Sequence, residues 1–138
     1  MNNRLLRYAP LHIDLAALFL RLILGGLMFF HGYDKVVNYN QYSANFQDII
    51  GIGAKLSFNL LVFAEVVCAF LVIIGLWTRL AVIPIFIAMA VAYFIAHGKD
   101  PFQVKELAFI FLALSLVVFV LGSGRFSVDG ALQRNRRV

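Results

Sequence analysis

LSFNLLVFAEVVCAFLVIIGL, residues 56–76, is an apolar run long enough to cross a bilayer and carries one charged side chain, Glu65, near its middle. An ionised group at that depth costs at least about 2.5–3.5 kcal/mol, so it must face a protein interior and meet a partner. Residues 15–30 repeat the pattern around Arg21. The two runs together predict a helical membrane protein whose buried charges fix either the packing or a site.

Two further runs, Leu80–Ala96 and Leu107–Gly124, are uncharged. The sequence has 138 residues, of which 62% are hydrophobic and 14% charged, far more apolar than the roughly 45–50% of soluble domains. Segments such as AVIPIFIAMAVAYFIA lack a polar face at helical spacing, which excludes a soluble helical bundle. The expected fold is therefore all-α: an integral membrane four-helix bundle, one domain over residues 1–138, with helices at about 13–30, 56–76, 80–96 and 104–121. In the longest connection, Tyr42, Phe46, Ile49 and Ile50 recur at helical spacing and predict a short interfacial helix in the first outer loop. Pro84 is expected near the first turn of the third helix.

With four spans, Arg4, Arg7, Arg79, Arg125, Arg134, Arg136 and Arg137 share one side, and Lys35, Lys55, Lys99 and Lys105 the other. The positive-inside rule places the arginines, and both termini, in the cytoplasm. The net charge of +5 is then explained by anionic lipid headgroups, with no nucleic-acid partner. Arg21 inside the first run, with no small-residue cleavage site after it, marks a retained anchor rather than a signal peptide. The lone cysteine, Cys68, excludes an intrachain disulfide and a Cys-x-x-Cys exchange site.

Two constellations carry the chemistry. Counting about 1.5 Å per residue from the cytoplasmic ends puts Arg21 roughly 12 Å deep and Glu65 roughly 16 Å deep, so the two are expected to form a buried ion pair or share a polar site. A stripe of Arg21, Gly25, Met28, Gly32 and Lys35 lies on one face of the first helix, with Gly25 admitting a close neighbour. His31, Lys35, His97 and Glu106 form the second group, near the outer helix ends. Imidazoles exchange protons near neutral pH and a lysine polarises a carbonyl oxygen, so this group suits a quinone headgroup, with interfacial anchoring as the alternative. His31, His97 and Glu106 offer metal-ligating atoms but no tight ligand spacing and no HExxH, so no metal is assigned. No haem attachment motif is present.

RLILGGLMFFHGYDK, AEVVCAFLVIIGLWTR, HGKDPF and KELAFIFLALSLVVFVLGSGRFSVD together resemble the DoxX family of small bacterial membrane proteins, from about Leu15 to Asp129. Arg21, Gly25, Gly32, Lys35, Glu65, Gly75, Arg79, Glu106, Arg125 and Asp129 occupy the motif positions. The resemblance implies an inner-membrane protein, related in some members to a small subunit of thiosulfate:quinone oxidoreductase. It implies a quinone-interacting or anchoring subunit of a redox complex, with no covalently bound cofactor. The sequence carries no flavin, haem or iron-sulfur motif, so a redox partner subunit would supply the electron-transfer centre. A non-enzymatic scaffold that recruits a partner protein, and a small-molecule or ion transporter working as a homo-oligomer, stay open as alternatives.

Overall fold

The four apolar runs form helices Ile13–Val37, Ala54–Ile74, Thr78–Ala96 and Phe102–Leu121, each long and apolar enough to cross a membrane. They are referred to below as the first to fourth spans. The computed structural model describes residues 7–136, so Arg4 and Arg137 lie outside the described residues. The first span packs on the second, the second on the third, the third on the fourth, and the fourth returns to the first. Leu24, Val72, Ile85 and Val118 are buried in the interior of this ring. Outward positions are just as apolar: Leu80 is 67% exposed and Val120 68% exposed, surface that only a lipid environment covers without penalty. The chain is a multi-pass membrane protein.

The first span continues two turns beyond Phe30, because His31–Val37 contains no proline and Lys35 sits in the last turn, where its charge complements the helix dipole. The second span stops at Ile74, one residue before Gly75, whose left-handed backbone (φ 73°) lets its amide close onto the carbonyls of Leu71 and Val72. The third begins at Thr78, so Pro84 falls inside the helix rather than in its first turn. The fourth begins at Phe102, straight after Pro101.

The connection after the first span holds a helix, Tyr39–Asn45, shorter than the apolar spacing suggested. Phe46 is already extended, and the Asp48 carboxylate accepts the amides of Gly51, Ile52 and Gly53, which holds the following stretch as a loop. Tyr39 and Phe46 both lay their rings against buried Phe58, 5.3 Å between centroids in each case. A helix absent from the hydropathy pattern, Val128–Asn135, follows the fourth span, started by Ser127, whose Oγ accepts the Gly130 amide at 2.9 Å.

Two of the spans contain π turns, Ala64–Cys68 in the second and Ala92–Ala96 at the end of the third. Such wide turns free backbone geometry locally and often border functional sites.

Candidate functional site

The packing register between the first two spans places every buried charge. A Cβ on Gly25 would approach the Ala69 carbonyl oxygen to 2.8 Å, and one on Gly32 would come within 2.8 Å of Glu65. Only glycine therefore lets the backbones touch at these two levels. With Gly32 beside Glu65 and Gly25 beside Ala69 and Ile73, Arg21 lies level with Gly75, at the very end of the second span. The first span overhangs the second by about two turns on the face that carries the termini.

This offset corrects the expected pairing of Arg21 with Glu65. Depth counting placed both helix ends in one plane, and the overhang moves Arg21 away by several turns. Arg21 is 1% exposed and its Nη2 donates to the Phe126 carbonyl at 2.7 Å. Its guanidinium fills the space where a Gly75 side chain would be. Around it, Asp129 accepts the amides of Trp77 and Thr78 at 3.0 and 3.3 Å, and Arg79 donates to the carbonyls of Phe119 and Val120. The Arg125 amide donates to Asp14 Oδ1 at 2.9 Å. Arg21, Gly75, Arg79, Arg125 and Asp129 thus form one polar layer that closes the terminal face.

Glu65 meets Lys35 instead. Helical side chains lean toward the N-terminus, so Lys35 reaches back one turn to the level of Gly32. Its Nζ donates to Glu65 Oε2 at 2.7 Å, with side-chain exposures of 22% and 6%. The carboxylate comes from the first π turn, and the pair opens into a cavity of about 200 Å³ lined by residues of all four spans.

His31 and His97 line that cavity with Lys35 and Glu65; Met28, Met89 and Phe111 make its apolar walls. The His31 ring stands edge-on to Phe111, 6.0 Å between centroids. His97 Nδ1 lies 2.7 Å from Asp100 Oδ2, which fixes the ring and leaves its other nitrogen free of that contact. Glu106, grouped with these residues from sequence, is exposed and absent from the lining. The fourth span is apolar all round, so nothing in its pattern showed which face turns inward. Lys105 is an anchor: its Nζ lies 4.7 Å from the Tyr93 ring centroid and donates to the Gly98 carbonyl.

Asp100 and Glu65's true partner are what the sequence reading missed. The His-x-x-Asp spacing of His97 and Asp100 was the available signal for the first. Among the described residues, no three His, Cys, Asp or Glu side chains gather as a metal site.

The family model for DoxX matches residues 16–98, from the first span through the π turn that ends the third. The chain belongs to the DoxX family. The matched region of this DoxX protein holds Arg21, Lys35, Glu65, His31 and His97, while Asp100 and Asp129 lie beyond it. No curated protein and no solved structure gives a significant match to the chain.

Proposed function

We propose that this DoxX protein is the quinone-binding membrane subunit of a redox complex, and that the headgroup enters the cavity above the Lys35–Glu65 pair. One observation carries the reading: a nearly buried carboxylate, bonded to a lysine, opens into a small cavity with two imidazoles on its rim. At about 200 Å³ the cavity is below the roughly 300–1,000 Å³ of complete ligand sites, a size that suits one ring with its oxygens. Lys35 donates to one quinone oxygen and His31 or His97 to the other.

Reduction to the quinol takes two electrons and two protons. The electrons come from a partner's redox centre, since the sequence holds no flavin, haem or iron-sulfur motif. The protons pass through Lys35 and Glu65 at one oxygen and His97 at the other, with Asp100 holding the imidazole in place. The arginine-rich terminal face supports a cytoplasmic location for both termini in a bacterial inner membrane, which puts the cavity near the outer leaflet.

Titrating a soluble benzoquinone against the detergent-extracted protein tests the reading. The Lys35→Met, Glu65→Gln double variant removes both charges together and should bind about tenfold or more weakly, the loss of one charge-assisted hydrogen bond. Glu106→Gln should bind as the unmodified chain does. Equal affinity in all three would remove the headgroup from this cavity.

A further inference from the structure

A second cavity, about 490 Å³ and almost wholly apolar, runs between the second and third spans. It adjoins the first: Ala92 and His97 line both. On the third span its wall extends from His97 through Ala88 to Pro84, roughly 20 Å at 1.5 Å per residue. At the distal end Phe46, Ile49 and Ile50 roof it, and the packing of Phe46 on Phe58 holds that roof down. From that roof the groove's long axis runs inward, toward the middle of the membrane.

We propose that this groove holds the aliphatic tail of a long-chain quinone whose ring occupies the neighbouring cavity, with Ala92 and His97 as the threshold between them. The inference rests on the headgroup reading above. Adjacency selects this occupant: an amphiphile with a flat polar ring fits a small polar chamber that borders a long apolar one at Ala92 and His97. A glycerolipid would keep its charged headgroup in the water layer, above the roof, and leave the polar chamber unused. Ala92 opens the second π turn and His97 directly follows it, so the threshold sits at that wider turn of the third span.

Besides His97 at the threshold, the groove has one polar side chain, Ser57, whose Oγ is buried and without a hydrogen-bond partner among the described residues. A hydrocarbon chain gives that hydroxyl nothing, whereas the ester carbonyl of a glycerolipid would accept from it. Ser57→Ala therefore separates the two occupants.

The test compares a decyl-substituted benzoquinone with the same ring lacking the chain. In the unmodified protein the chain should tighten binding by about tenfold to a hundredfold, as burial of several methylenes requires. Ala88→Phe, which fills the groove, and Ala96→Leu, on an exposed stretch of the same wall, should erase most of that gain and leave ring-only affinity unchanged. Ser57→Ala should leave the gain intact or raise it. A diazirine at the chain's end should label the peptide around Pro84–Val91. Ring binding with no gain from the chain, a gain insensitive to both groove variants, or labelling elsewhere overturns the tail site and spares the headgroup reading. Failure of both ligands to bind overturns both.

Discussion

The two ends of this bundle handle buried cations in opposite ways. At the terminal face Arg21 is engaged by the Phe126 carbonyl beside Gly75, and Arg79 by the carbonyls that end the fourth span. Every one of those acceptors is backbone, so Arg79 completes the end of the fourth span while Arg21 ties down the stretch that follows it. At the distal face Lys35 is engaged by a carboxylate, and the pair looks into a cavity. A cation on a backbone carbonyl has no proton to exchange with its partner; one on a carboxylate does. The difference separates cations that tie down backbone from a pair able to exchange a proton, in a chain where both are built from charges inside apolar helices.

The largest effect expected from breaking this contrast is at Lys35. Lys35→Met leaves Glu65 buried without its partner and should cost about 3 kcal/mol of stability in detergent unfolding, while Lys35→Met, Glu65→Gln should recover most of it. No recovery in the double variant would mean that the pair itself holds the fold, and the contrast would fail. Arg21→Ala should come next, losing about 2–3 kcal/mol from a missing charged hydrogen bond and the void beside Gly75. It should expose the stretch after Phe126 to protease yet leave benzoquinone affinity unchanged. A changed affinity would join the two ends functionally.

Asp129→Ala sharpens the same point more gently. It uncaps the third span, for a loss of about 1 kcal/mol, and should speed amide exchange at Trp77 and Thr78 first. The smallest effect is expected at Tyr42, on the distal loop, which donates to Asp34 Oδ2 at 2.7 Å. That hydrogen bond, with the nearby negative charge, raises the phenol's pKa above its ordinary value near 10. The bond stabilises the loop below that value and is lost as pH rises through the raised one. Tyr42→Phe should abolish this alkaline dependence of loop protection and change nothing at the cavity.

Hydropathy made the four spans legible, because each run is long enough and apolar enough to need no tertiary context. It also made Glu65 legible as a residue requiring a partner. Which partner was not legible, since the answer lies in the axial offset of two helices. That offset is set by where their backbones touch, at Gly25 and Gly32. Both glycines stood out in the sequence, but their partners on the second span did not. Glu106 went astray for a related reason: a helix without a polar face gives no rotational bearing. His31, Lys35 and His97 converge because all three sit near distal helix ends and the ring packing of the four spans turns those ends toward one cavity. The helix Val128–Asn135 carries one local signal, the Ser127 cap three residues before Gly130, but the contacts that dock it run through Asp129 to backbone some fifty positions away, beyond the reach of any local pattern.

Asp129 carries one further consequence. Its carboxylate caps amides that are synthesised some fifty positions earlier, at Trp77 and Thr78. Synthesis runs from the N-terminus, so the first three spans emerge before their latch has been made. The bundle can be fastened only when the stretch after the fourth span arrives and folds back, which makes the emergence of Asp129 the event that locks the assembly. A product cut short after the fourth span would carry all four of these helices and still lack their fastening.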